Sequence, residues 1–209
     1  GKRRREIVIK SFIIVMKKNI LGILATSFLL ASCYNTKSPQ SAGDSSSETT
    51  EVQEKMQEAG WEYETPIGGE FDESYGVKPV YGLQDNYFDI TVGQGFNIAI
   101  KIMNASTNKC VRYVYAPENQ TVTVNEIPQG LYYLKLAYGR DWMCLRTGSV
   151  TMGKFSKNAF YERSIDTYNF GRKNSQDFVN YELKINVVDG SVLNNFKTQP
   201  IREQEFLGN

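Results

Sequence analysis

Five consecutive residues, Tyr138-Gly139-Arg140-Asp141-Trp142, place two large aromatic rings beside a guanidinium and a carboxylate. A sugar needs that combination, because its C–H faces stack on aromatic rings while its hydroxyls bond to charged donors and acceptors. Trp61 is a third ring that such a site could recruit. The same stretch also suits a hairpin turn whose rings fold back onto the core, with a local Arg–Asp pair. Carboxylates are scattered along the chain at Asp85, Asp89, Glu118, Glu126, Asp141, Asp166 and Glu182. Two of them could form a glycosidase acid/base pair, but no spacing selects a pair, and solvated acids are the ordinary content of a β surface.

Nucleophilic chemistry has less to build on. None of the 209 residues is histidine, which removes Ser-His-Asp and Cys-His catalysis and most catalytic zinc sites. Cys110 and Cys144 then have no imidazole to activate them; they suit either a disulfide or two buried free thiols. Closing that loop of about 34 residues would stabilise the fold by about 3–4 kcal/mol in the chain-entropy view. No phosphate-cradling loop, CxxC pair or calcium loop is present, so no cofactor, metal or catalytic residue is expected.

Charge separates the N-terminus from the remainder. Seven basic residues and one acid precede Cys33; from there on, 17 basic residues face 22 acidic ones, a net −5. A mildly acidic chain of this kind lacks the basic footprint of a nucleic-acid binder. Met16-Lys17-Lys18-Asn19 opens a positive region, Ile20 to Ala31 follows as an apolar run, and Leu30-Ala31-Ser32-Cys33 closes it. This is the layout of a secretory signal, and the run is shorter than the ~20 residues that span a bilayer.

The tetrad Leu30-Ala31-Ser32-Cys33 resembles the lipobox of bacterial lipoproteins. The resemblance implies acylation of the Cys33 thiol and cleavage just before it, so that the membrane is the first partner. Each buried CH₂ contributes about 0.8 kcal/mol, and several acyl chains make attachment effectively permanent. Residues 1–32 are accordingly expected to be the signal region, with Met16 as the natural start and residues 1–15 an over-extension of the reading frame; a longer charged leader is the alternative. After Cys33, Tyr34 to Ser38 carry no acid. In lipoproteins an Asp next to the lipidated Cys resembles an inner-membrane retention tag and an acidic cluster a surface-export tag; with neither, the expected address is the outer membrane, facing the periplasm.

Residues 33–60 are expected to form the lipidated start and a flexible linker. The stretch 34–50 is rich in Ser and Thr and poor in large apolar groups, so it cannot offset its ordering entropy. A short helix is possible at 51–59, ending at Gly60. The domain proper is expected at 61–209. Phe88, Ile90 and Val92; Phe96, Ile98, Ile100 and Ile102; Val122 and Val124; Leu134 and Leu136; and Tyr181, Leu183, Ile185 and Val187 each alternate with polar residues. That period describes antiparallel strands buried on one face. Turn chemistry separates them at 93–95, 105–108, 117–119, 128–130 and 139–141. The fold class expected is an all-β, antiparallel sandwich, with 150–175 as an extra hairpin or long loop.

Thr121 to Leu136, with Ile127-Pro128-Gln129-Gly130 between two strands, resembles the strand–turn–strand of carboxypeptidase-regulatory-like and Cna-B-like domains. The resemblance implies a transthyretin-like or Ig-like sandwich, typically structural or adhesive. The tail residues Phe196, Ile201, Phe206 and Leu207 can dock on the sandwich or on a partner, with internal docking favoured. These features lead first to a non-enzymatic lipoprotein that binds or scaffolds another envelope protein. A carbohydrate-binding lipoprotein of an uptake system comes second, and a carboxylate-based hydrolase third.

Overall fold

The computed structural model describes residues 45–208, apart from 173, 175, 176, 189 and 190. The signal region 1–32, Cys33 and the first part of the linker lie outside the described residues. The chain enters with helix α1 (Ser45–Glu58), six residues earlier than position 51 and inside the stretch expected to be a flexible tether. Its Ser/Thr-rich first half is a weak helix former, and its C-terminal half, with Glu51 and Lys55 paired at i,i+4, is what anchors it. Gln53 donates to Asp141 Oδ2 at 3.0 Å and to Ser156 Oγ at 3.1 Å, and Met56 is buried. The helix stops at Gly60, whose φ of 87° allows Trp61 N–H to reach Met56 O and Gly60 N–H to reach Gln57 O, a Schellman ending.

The strands follow as β1 (Glu62–Tyr63), β2 (Gly69–Glu70), β3 (Tyr87–Val92), β4 (Asn97–Asn104), β5 (Cys110–Ala116), β6 (Thr121–Asn125), β7 (Gly130–Thr147), β8 (Val150–Ser164), β9 (Tyr168–Phe170), β10 (Tyr181–Val188), β11 (Ser191–Asn194) and β12 (Thr198–Pro200). A short helix, α2 (Glu203–Leu207), closes the chain. One sheet runs β12-β8-β7-β4-β5-β2, with β1 and β9 also paired to β7; the other runs β11-β10-β3-β6. The protein is therefore an all-β sandwich. Its expected strands at β3, β4, β6, β7 and β10 are all present, and the turns at 93–95, 105–108, 117–119 and 128–130 each fall between strands.

Three details differ from the sequence expectation. The small sheet is not wholly antiparallel, because β3 and β10 run parallel, Phe88 opposite Tyr181. The segment 139–141 is not a turn; it lies inside the 18-residue β7. The true reversal is at Gly148 (φ 60°), so β8 is the long partner of β7 and most of 150–175 is hairpin.

The third concerns burial. Phe88, Ile90, Ile98, Ile100, Leu134, Leu136 and Leu183 fill the space between the sheets. The large sheet also has a second apolar layer on its outer face, where Phe71, Tyr113, Tyr115, Trp142, Phe155 and Phe206 cluster. The segment leading through the 3₁₀ turn Glu73–Tyr75 and helix α2 cover this layer. The polar-position residues of β4 (Ala99, Lys101 and Met103) are consequently buried too. Phe206 and Ile201 dock internally. Among the described residues no helix is long and apolar enough to cross a membrane.

Candidate functional site

The Tyr138–Trp142 stretch does not form an aromatic platform. Tyr138 is 0% exposed and Trp142 2% exposed, and they belong to opposite apolar layers. Tyr138 stacks on Phe160 at 4.4 Å and accepts from Asn194 Nδ2 at 3.2 Å. Trp142 stacks on Phe71 at 5.3 Å and meets Phe155 edge-on at 4.9 Å. The polar members do not pair with each other. Arg140 Nε donates to Gly95 O at 2.6 Å with its guanidinium over Phe96, while Asp141 holds helix α1 through Gln53.

The disulfide weighed for Cys110 and Cys144 is not formed; both thiols are free. Cys110 is on β5 and Cys144 on β7, and β4 lies between them. Two strand spacings of about 4.8 Å already exceed the ~7 Å Cα separation that a disulfide spans. Burial pushes both thiols up to about 11, which leaves them protonated and poor nucleophiles at neutral pH.

Of the scattered acids, the fold brings Asp89 and Glu182 together as neighbours across the parallel pair. They lie on the outer face of the small sheet, where Asp89 accepts from Thr123 Oγ1 at 2.6 Å and Glu182 pairs with Lys184 at 3.2 Å. Glu118 accepts from Gly95 N–H and Asp166 from Lys197 N–H, so these two tie down loops.

The side chains that organise an exposed apolar loop are ones that sequence patterning did not single out. Arg112 on β5 is fully buried. Its guanidinium bonds to Glu70 Oε1 at 3.0 Å and to the carbonyls of Val80, Asn125 and Glu126, and it lies 3.9 Å from the centroid of the Tyr81 ring. Backbone bonds Val80 N–H to Val111 O and Gly82 N–H to Glu126 O fix the same loop. Gln84 Nε2 and Asn86 Nδ2 both donate to Ile127 O. Held in this way, the loop leaves Val80, Tyr81 and Leu83 exposed, with Tyr87 just beyond. The signal for it was a short apolar string, Val80-Tyr81-Gly82-Leu83, in a segment without strand period.

A second feature is a partly enclosed cavity of about 180 Å³ on the outer face of the large sheet. Trp61, Tyr75, Tyr113 and Met152 line it, with Lys101 and Lys154 supplying charge. Lys154 Nζ sits over the Trp61 ring at 5.5 Å and bonds Glu203 at 3.1 Å. In sequence Lys101 is only the polar alternate of Ile100 and Ile102, indistinguishable from a solvated lysine. No protein family, curated protein or solved structure matches the chain.

Proposed function

We propose that this protein is a lipid-anchored component of the cell envelope, acylated on Cys33 at the outer membrane and facing the periplasm. Its β-sandwich binds another envelope protein without doing chemistry on it. The observation that carries this reading is the exposed apolar loop of Val80, Tyr81 and Leu83, bonded to the sheet at Val80 and Gly82 and held from beneath by Arg112. Exposed apolar side chains on a mobile loop lose much of their binding energy to ordering; on a fixed loop that cost is already met. Tyr and Leu projecting from such a support suit the centre of a protein interface better than a sugar site, because they offer few directed polar groups. The missing histidine and the raised thiols favour binding over catalysis.

A photo-crosslinking residue placed at Leu83 and activated in intact envelopes tests the reading. A discrete protein adduct is expected, lost on Tyr81→Ala and not given by the same probe at exposed Asn158. No adduct at position 83, or equal adducts from both positions, would count against it. Release of a Cys33→Ser chain from the membrane fraction checks the anchor separately.

A further inference from the structure

Lys101 of β4 and Lys135 of β7 are directly opposite each other across the antiparallel ladder. They are 4% and 7% exposed. Like charges on opposed positions repel, and buried ammoniums are costly unless compensated. Yet among the described residues neither forms an ion pair. Their partners are carbonyls at the end of α2: Lys135 Nζ donates to Glu205 O at 2.7 Å and Gly208 O at 3.2 Å, and Lys101 Nζ to Leu207 O at 3.3 Å. Lys101 has one long bond for three donors, and, though only 4% exposed, it lines the 180 Å³ cavity.

We propose that this cavity binds a small organic carboxylate, with the anion on Lys101 and a single ring or short chain against Trp61, Tyr75 and Tyr113. The volume sets the size. A cavity of roughly 150 Å³ admits benzene, and drug-sized ligands need about 300 Å³ or more. The walls set the body of the ligand, being largely apolar, with the rings of Trp61, Tyr75 and Tyr113 and the side chains of Met152 and Leu207 among them. Charge sets its head, since Lys101 and Lys154 both line the cavity, Lys135 stands directly opposite Lys101 on the neighbouring strand, and of these three lysines Glu203 pairs with Lys154. The single ammonium of Lys101, 5.3 Å from the ring centroids of both Tyr113 and Phe206, gains ring attraction but no neutralisation. Burial draws Lys101 below the usual lysine range, with Cys110 opposing the shift and the nearby Lys135 adding to it. A bound anion opposes the effects of burial and of Lys135, so affinity should weaken as pH rises and that ammonium loses its proton.

The test uses the whole chain with ¹³C-methyl methionine, following the Met152 methyl signal during titration with benzoate, hexanoate and neutral benzamide. Saturable shifts are expected for at least one acid, with benzamide at least tenfold weaker. Lys101→Met, which keeps the apolar volume, is expected to weaken the acid by tenfold or more while the fold remains intact. Should that variant not fold, Met152→Trp, which fills the cavity from its exposed rim, is expected to abolish binding of benzoate as monitored by calorimetry. The proposal is overturned if neither acid binds at millimolar concentration, if benzamide equals benzoate, or if binding survives either folded variant.

Discussion

Tyr138 and Trp142 lie four residues apart on β7 and point into opposite apolar layers of the molecule. An uninterrupted strand would place both on one face, because its side chains alternate with a period of two. Here the ladder between β7 and β8 changes register between Tyr138 and Arg140. Asp141 and Asn158, on the two strands at the break, have φ values of 54° and 52°. The bulge turns one continuous strand from lining the inter-sheet core to lining the outer layer, and it lets β7 serve both.

Trp142→Ala should therefore read as a loss of stability, about 3–5 kcal/mol for a buried Trp, rather than as a loss of ligand binding at a surface. Gly153→Ala should act on the same ring, because a Cβ there would come within 2.2 Å of Trp142 Cζ2; crowding of this kind costs about 1–3 kcal/mol. Denaturant midpoints measure both.

The left-handed residue at the break allows a paired test. Asp141→Val should cost about 1–2 kcal/mol, since a β-branched residue fits poorly at positive φ. Asp141→Gly removes that strain but also the exposed bond to Gln53, and should leave stability within about 1 kcal/mol of the parent. If Val and Gly behave alike, the bulge does not depend on the conformation of that residue.

Arg112 makes a prediction about rigidity. Arg112→Met removes the donor shared by the carbonyls of Val80, Asn125 and Glu126 and strands Glu70 without its cation. Breaking a buried charged network costs about 3–5 kcal/mol. Amide exchange at Val80 and Gly82 should accelerate more than exchange in the β3 ladder, because those two N–H groups fasten the loop. Uniform acceleration across the sandwich would mean that Arg112 supports the fold generally and not the Tyr81 loop in particular.

The inter-sheet core was legible in the sequence because Phe88, Ile90, Ile98, Ile100, Val122, Val124, Leu134 and Leu136 follow the pleat of strands buried on one face. The outer layer was not, because alternation assigns Ala99, Lys101 and Met103 to solvent, and nothing local reveals that 71–77 and α2 return to cover them. The same limit hid Lys101 and Arg112 as buried charges. The turn signal at Gly139-Arg140-Asp141 was real chemistry, used for a bulge instead of a reversal; Gly139 and a left-handed Asp141 suit both. Parallel pairing of β3 with β10 joins strands some 90 residues apart, beyond the reach of any local pattern.

The thiols give a direct chemical check. In a Cys33→Ser chain, native Cys110 and Cys144 should label slowly with a thiol-specific reagent at pH 7.5 and rapidly after denaturation, since burial holds both near 11. Reduction should not change the intact mass. Fast labelling of Cys144 would be the adverse result, because it is buried with Arg146 Nη1 donating to its sulfur at 2.8 Å.

The pH dependence has two opposing parts whose signs follow from proton counting. Lys101 and Lys135 sit below 10.5 when folded, chiefly through burial. Between that folded value and 10.5 the unfolded chain binds more protons, so raising pH through this window adds stability. The phenols and thiols act in reverse. Burial lifts Tyr75 from 10.0 to about 12 and the two thiols from 9.0 to about 11, and raises Tyr113, Tyr115, Tyr138, Tyr161 and Tyr168 as well. In these windows the native state keeps protons that the unfolded chain releases, so raising pH removes stability. Because the phenols outnumber the lysines, the melting temperature should decline steeply above about pH 10, the unperturbed phenol value. Relative to the parent, a Lys101→Met, Lys135→Met chain should keep that decline but lose the lysines' opposing gain below 10.5. If the double variant retains the gain, the lysines under α2 are not its source.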